Sequence, residues 1–197
     1  MDEIKSARDI AREKIERVGA VTEADKLRWR YLPEGEILAA KYLKDGHNLT
    51  AEFAAYPADA LPYVKKGLEA VLLVTVVLPK SEAAQSRNQR ALDGLIALKK
   101  DQGAARRLVD QMQQVLGHYT DQGDKQRKAT YEALKGQYEA KVRQAMDKRG
   151  ASGLDGLKIS AESLPQFQDE WRRVSVQLDQ QYLKLLEEFK RGLAEIG

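Results

Sequence analysis

Side chains that commonly carry out chemistry are sparse in this chain of 197 residues. It holds two histidines, His47 within KDGHN and His118 at a predicted helix end, and no cysteine. A zinc site needs three or four ligands, usually His or Cys repeated on one face, and neither histidine has such neighbours in sequence. The lack of cysteine excludes disulfides, thiolate metal sites and a cysteine nucleophile. We therefore predict no metal site and no cofactor.

Sequence motifs of enzymes are also missing. The acidic pairs Asp169–Glu170 and Glu187–Glu188 are adjacent in predicted helices, so their carboxylates point in different directions and do not form a catalytic pair. The stretches KGQYEAK and DGLIALKK lack the GK[ST] ending and the preceding strand of a phosphate-binding loop. We expect a protein without enzymatic activity and without catalytic residues.

The stretch LRWRYLPEGE is the best candidate for recognition, because arginine and aromatic side chains are enriched at interface hot spots and stack on nucleic-acid bases. We favour the interpretation in which Trp29 packs inward against Leu32 and the first helix while the arginines face solvent. An alternative is a small-molecule pocket near Trp29, Tyr31 and Tyr42, between helices.

The elements that would position these residues are predicted to be helices. Ala, Leu, Glu, Lys, Arg and Gln dominate, only 5 prolines occur, and these residues lose little side-chain freedom in a helix. The apolar fraction of 43% suffices for a core. We predict an all-α fold with a compact helical subdomain at 1–79 followed by a long arm at 80–197.

The predicted subdomain ends in an apolar run, Ala70–Leu78. The run is much shorter than the ~20 residues of a membrane span, and no other segment offers a partner for a strand. We therefore predict a buried helix from about 62 to 77, whose last turn is extended before Pro79. The other helices of the subdomain are predicted over 3–18, 23–31, 36–44 and 49–56, with Thr22 as the N-cap of the second of them and a turn around Pro33 and Gly35.

A heptad pattern then begins after Ser81, a predicted N-cap. Positions alternately four and three apart form a seam of mainly apolar residues, which predicts one long helix. The same seam would be satisfied by pairing within the chain or between chains. Its members are Ala84, Asn88, Ala91, Leu95, Leu98, Gln102, Ala105, Val109, Met112, Leu116 and Tyr119.

We predict that the chain reverses at 117–125, where two glycines occur, although one continuous helix past residue 140 is the alternative. A further helix over 124–149 and a Gly-rich linker at 150–163 lead to a last helix that starts at Pro165 and carries several aromatic residues. These helices would form an antiparallel, coiled-coil-like arm with a C-terminal packing helix. The residues predicted to make the helix–helix contact are Leu95, Leu98, Val109, Met112, Leu116, Phe167, Trp171 and Leu178.

Positive charge is concentrated on the arm, where residues 81–149 carry 14 basic and 9 acidic side chains, a net charge of +5. Such a distribution is typical of a solvated helical face, and the overall charge of +3 is small for a nucleic-acid-binding protein. The alternative is binding of nucleic-acid phosphates. The residues predicted for that contact are Arg87, Arg90, Arg106, Arg107, Arg127 and Lys128.

The first 80 residues resemble a group of short, uncharacterised bacterial helical proteins. The residues that carry the resemblance are EIKSA at 3–7, PEGE at 33–36, LAAKYL at 38–43 and VLP at 77–79. The resemblance implies a bacterial, mostly helical protein and supplies no activity or ligand.

These observations predict a cytoplasmic helical scaffold or adaptor. The N-terminal stretch is charged throughout and lacks the apolar core of a signal peptide. We expect the partner to be a second copy of the chain or another helical protein, nucleic acid to be the alternative partner, and no membrane to be bound.

Overall fold

The computed structural model describes residues 21–148 and 160–197. Regular secondary structure within these ranges is helical throughout, which confirms the predicted all-α class. The chain divides into two compact units, Met1–Leu72 and Leu73–Gly197, with the boundary at residue 72 where the sequence predicted 79. The predicted helix over 3–18 and most of the predicted linker lie outside the described residues.

The first unit is built from α1 (Glu23–Asp45), α2 (Leu49–Ala54) and most of α3 (Leu61–Thr75). Thr22 caps α1 as predicted: its hydroxyl accepts from the Asp25 N–H at 3.1 Å, and the Asp25 carboxylate accepts from the Thr22 N–H at 3.1 Å. Such reciprocal bonds satisfy N–H groups that the first helical turn leaves unpaired.

The predicted turn around Pro33 and Gly35 is wrong, because α1 runs through both residues. An interior proline costs about 3 kcal/mol, and α1 stays helical there while it crosses α3 closely. A Cβ atom on Gly35 would lie 2.1 Å from the Val64 carbonyl oxygen, and one on Gly67 would lie 2.1 Å from that of Leu32. Backbone contact this close requires glycine, so packing overrides the local preference for a turn.

The apolar run Ala70–Leu78 is buried only in part: Leu72 and Val76 are completely buried, whereas Val74 is 74% exposed. Val64 and Leu68 of α3 are also completely buried. Helical structure ends at Thr75, and the chain continues without helical structure to Leu78, as the sequence predicted for the last turn. Among the described helices, none is both long and apolar enough to cross a membrane.

The second unit contains the longest helices of the described chain. Ser81 caps its first helix and Pro165 begins its last helix, both as predicted. Its helical elements are α4 (Glu82–Leu98), α5 (Gln102–His118), a π-helical turn (Tyr119–Gly123), α6 (Asp124–Lys148), a 3₁₀ turn (Ala161–Ser163) and α7 (Pro165–Glu195).

The prediction of one helix along the whole seam is wrong, because the helix stops at Leu98. Asp101 caps the next helix by accepting from the Ala104 N–H at 2.8 Å. Gln113 Nε2 then donates to Gln89 Oε1 at 2.7 Å, which places α5 beside α4. The two halves of the seam therefore pack against each other as the core of a helical hairpin.

The predicted reversal at 117–125 is also wrong, and the alternative of a continuous helix past residue 140 is confirmed. Helical structure continues from α5 through the π-helical turn into α6. A glycine inside a helix costs only about 1 kcal/mol. Gly123 is buried, and a Cβ atom there would lie 3.2 Å from the Tyr182 hydroxyl, so the turn is held by packing.

An antiparallel arm is present, formed by α7 along α5 and α6. The C-terminal part of α7 meets α5, where Gly192 packs against Leu108. The N-terminal part of α7 meets α6, where the rings of Phe167 and Tyr131 are 5.5 Å apart. The Lys100 N–H donates to the Gly197 carbonyl oxygen at 2.8 Å at the end of the pair.

Candidate functional site

The predicted contact residues lie largely inside the second unit. Leu95 and Met112 are completely buried, and only Trp171 and Leu178 of the whole set are partly exposed. A partner can therefore reach α7 but not the α4–α5 core. The residues of the set that are buried within the chain are Leu95, Leu98, Val109, Met112, Leu116 and Phe167.

Aromatic contacts hold α7 against α6. The Tyr131 ring packs edge-on against Phe167 and against Trp171, at centroid distances of 5.5 and 5.0 Å. The Tyr131 hydroxyl donates to Glu162 at 2.7 Å, and Lys135 Nζ lies 2.9 Å from the same carboxylate oxygen. The Tyr131 hydrogen bond, with Lys135 second, lowers the pKa of Glu162. These contacts fix the rotation of α7 about its axis and so determine which side faces solvent.

A polar cluster lies deeper in the second unit, at the π-helical turn. The Asp179 side chain on α7 is 9% exposed; its Oδ2 is 3.0 Å from Lys80 Nζ, and its Oδ1 is 3.6 Å from the Arg127 guanidinium. Arg127 also stacks 4.2 Å above the ring of Tyr119 and donates to the Tyr119 carbonyl oxygen. The π-helical turn directs Tyr119 inward, where it is 1% exposed.

The Tyr119 hydroxyl and Oδ1 of Asp179 are both buried without a hydrogen bond of regular geometry. Burial of the hydroxyl, followed by the nearby charge of Asp179, raises the pKa of Tyr119 to about 12. Beside it is a cleft of about 470 Å³ lined by Lys80, Arg127 and several polar side chains. The carboxylates of Asp124 and Asp179 are paired with the cationic groups there, so the cluster links α6, α7 and the segment before α4.

Sequence reasoning missed Asp179 and Lys80 and assigned Arg127 to phosphate binding. Asp179 occupies the apolar face of α7, seven residues before the buried Leu186. An acidic residue on the apolar face of a predicted helix could have indicated this cluster, since a buried carboxylate needs a cationic partner. The partners themselves come from distant parts of the sequence, so the pairing could not be read from it.

The outer edge of α7 combines exposed apolar side chains with ion pairs. Val176 is 53% and Leu183 is 43% exposed. Arg172 pairs with Asp169 at 3.8 Å, and Lys190 pairs with Glu187 at 3.0 Å. We call this line of side chains the α7 edge; its six members are Asp169, Arg172, Val176, Leu183, Glu187 and Lys190.

Two of the six residues predicted to bind phosphates form ion pairs within the chain. Arg127 is 18% exposed and engaged in the polar cluster, and Lys128 pairs with Asp124 at 2.7 Å. The other four, Arg87, Arg90, Arg106 and Arg107, are exposed on α4 and α5.

The aromatic stretch of the first unit differs from its predicted placement. Trp29 is 64% exposed, so the interpretation that it packs inward is wrong. Tyr31 packs edge-on against Tyr56 at 6.3 Å and carries Arg30 over its ring at 5.0 Å. Tyr42, further along α1, is partly buried. The pocket that the sequence suggested around Trp29, Tyr31 and Tyr42 stays a prediction.

The two histidines have local partners. His118 Nδ1 lies 2.9 Å from the Tyr182 hydroxyl, and His47 lies 3.7 Å from Asp45 and 3.8 Å from Glu52. Within residues 21–148 and 160–197, no group of three or more His, Asp or Glu side chains is placed to hold a metal ion.

Comparison with known protein families gives a match over most of the chain. The family described as "Family of unknown function (DUF6657)" matches residues 50–195, well over half of the chain. Of the four stretches that carried the sequence resemblance, only Val77–Pro79 falls inside this range. No curated protein and no solved structure matches the chain.

Proposed function

The chain belongs to the DUF6657 family, whose function is unknown, and we propose that it is a non-enzymatic, cytoplasmic bacterial scaffold that associates with itself through helix–helix contacts. The observation that supports this proposal is the apolar surface of α7, which is wider than α5 and α6 cover. Phe167, Leu186 and Leu193 are buried on one side of α7, whereas Val176 and Leu183 remain substantially exposed.

The contact surface that we propose on α7 is narrower than the surface predicted from the sequence. The α4–α5 core is filled by side chains of the same chain, so association through it would require unfolding of the hairpin. Trp171 is partly covered by the Tyr131 ring at 5.0 Å, whereas Val176 and Leu183 are 53% and 43% exposed. We therefore place the contact on α7.

The test is the mass of the full chain by light scattering over a range of concentrations. We expect two chains at high concentration and dissociation in the micromolar range, because exposed helical contacts of this size are small compared with stable interfaces. The double variant Val176→Glu, Leu183→Glu should remain a single chain. Ile37→Glu, a matched change at a residue of the first unit that is 68% exposed, should leave the mass unchanged. A wild-type mass of one chain at every concentration would contradict the proposal.

A second candidate function is binding of nucleic-acid phosphates. Its support is that Arg87, Arg106 and Arg107 are exposed on α4 and α5. Phosphate binding would weaken steeply as salt rises, with a slope set by the number of contacts. The double variant Arg106→Glu, Arg107→Glu should flatten that slope, while Arg173→Glu on α7 should not. Failure to shift a labelled duplex at low salt would exclude this function.

A further inference from the structure

We propose that the second copy of the chain packs antiparallel along the α7 edge, with Val176 of each copy against Leu183 of the other and Arg172 of each copy against Glu187 of the other. This inference rests on the proposed self-association and adds to it the surface, the direction and the register of the contact.

The six side chains of the α7 edge follow one line on the helix surface. Successive members are three, four or seven positions apart, a spacing that keeps side chains on the same side of an α-helix. The line spans about 32 Å at a rise of 1.5 Å per residue. Val176 and Leu183 lie in its middle, and one ion pair lies towards each end.

The order of charges makes this line complementary to itself when it is reversed. Both ion pairs run acidic then basic along the chain, Asp169 before Arg172 and Glu187 before Lys190. In an antiparallel copy the basic member of each pair therefore faces an acidic member of the other. A two-fold axis halfway between Val176 and Leu183 produces these contacts twice, as a closed symmetric dimer requires.

A parallel arrangement in register would place Arg172 against Arg172 and Glu187 against Glu187. Like charges placed face to face disfavour that arrangement. The charge order therefore selects the antiparallel direction, and the two apolar residues at the centre fix the register.

The exposure of the side chains determines how tight the dimer should be. Asp169, Arg172 and Glu187 are 62–77% exposed, so each ion pair across the contact is well solvated and contributes little. The Lys190 side chain is only 15% exposed, and its Nζ already lies 3.0 Å from Glu187. The apolar centre is small compared with a standard interface. We expect a dimer that dissociates in the micromolar range.

Charge reversal provides a specific test. Arg172→Glu alone and Glu187→Arg alone each place like charges opposite each other twice in a symmetric dimer, so each variant should dissociate at least about tenfold more readily. Mixing the two variants restores both attractive contacts, so a dimer of one copy of each should form. The variant with both reversals should also regain the wild-type dimer.

The matched control is Glu188→Arg, an equal change of charge at an exposed residue on the opposite side of α7. It should leave the dimer intact. If Arg172→Glu and Glu187→Arg leave a wild-type dimer unchanged, this register is overturned while self-association itself stands. If the wild type is a single chain at every concentration, both proposals fall.

Cross-linking tests the direction independently of charge. The chain has no cysteine, so an introduced one reacts alone. A mixture of Val176→Cys and Leu183→Cys chains should be joined efficiently by a cross-linker of about 8 Å, close to the distance between packed helix axes. Either variant alone should be joined much less. Equal cross-linking of each variant with itself would indicate a parallel arrangement and overturn the proposal.

Discussion

Lys80 Nζ lies 3.0 Å from Asp179 Oδ2, and this contact joins the residue before the cap of α4 to the middle of α7. The two partners differ sharply in environment, since the Lys80 side chain is 69% exposed and that of Asp179 is 9% exposed. The buried carboxylate also faces Arg127, which is itself largely buried. Most of the stabilisation that the cluster provides should therefore come from Asp179 and Arg127.

Replacing Asp179 with alanine should destabilise the second unit by about 3 kcal/mol, because it leaves the buried Arg127 guanidinium without its carboxylate on α7. Lys80→Ala should cost less than about 1 kcal/mol, since that lysine is mostly solvated. Urea unfolding followed by Trp171 fluorescence, in a Trp29→Phe background, measures the second unit alone. Equal losses of stability in the two variants would contradict the prediction that Asp179 contributes more than Lys80.

Asn88 should stabilise the segment that precedes α4. Its side chain accepts from the Val77 N–H at 3.0 Å and donates to the Val77 carbonyl oxygen at 2.6 Å, and the residue is 3% exposed. Asn88→Ala leaves both backbone groups unpaired and should cost about 2 kcal/mol. Gln89→Ala, at an exposed neighbour, should cost less than about 1 kcal/mol in the same urea assay. A small effect at Asn88 would show that water replaces the side chain.

Helix starts could be predicted well from this sequence because their signals are local. Thr22 and Ser81 bond to N–H groups three residues ahead, and Pro165 has a backbone conformation suited to a first helical turn. The heptad pattern does not reveal the break after Leu98. The chain folds back between two heptad positions, Leu98 and Gln102, so the spacing of the seam residues along the sequence continues unchanged across the break. The capping residue Asp101 was the available signal.

The candidate site was predictable only in part. Apolar periodicity marks α7 as amphipathic, but the contact predicted for Trp171 and Leu178 stays a prediction, and neither residue belongs to the α7 edge. Val176 and Leu183 also lie seven positions apart, but the aromatic stripe of the same helix dominates the pattern. The pairing of Asp179 with Lys80 and Arg127 depends on how helices pack, which the spacing of residues along one helix does not encode.

Gly35→Ala should be strongly destabilising, because the new methyl group would overlap the Val64 carbonyl oxygen at the crossing of α1 and α3. Overpacking against backbone atoms cannot be relieved by a side-chain rotation, and we expect a loss of about 3 kcal/mol. Gly136→Ala in α6 is the matched control, since nothing lies within 4 Å of its added Cβ. It should gain about 1 kcal/mol from helix propensity. Thermal unfolding followed by circular dichroism compares the two, and a mild effect at Gly35 would show that the helices can separate.

Tyr119 should make the second unit less stable in alkaline solution. An unfolded tyrosine releases its proton near pH 10, whereas the pKa of folded Tyr119 is about 12. Between these values the unfolded state binds fewer protons than the folded state, so the free energy of unfolding falls as pH rises. The loss should reach about 2 kcal/mol near pH 12 and should be absent below about pH 9.

Tyr119→Phe is the matched variant for this pH dependence, because it keeps the ring under Arg127 and removes only the hydroxyl. That hydroxyl is buried without a hydrogen bond of regular geometry, so at neutral pH the variant should be as stable as the wild type or up to about 1 kcal/mol more stable. Urea midpoints measured from neutral to alkaline pH, with Trp171 fluorescence in the Trp29→Phe background, give the difference between the two proteins. The other tyrosines titrate in both proteins, so their contributions cancel in the comparison. A difference in urea midpoint that stays constant with pH would show that Tyr119 ionises at its ordinary pKa.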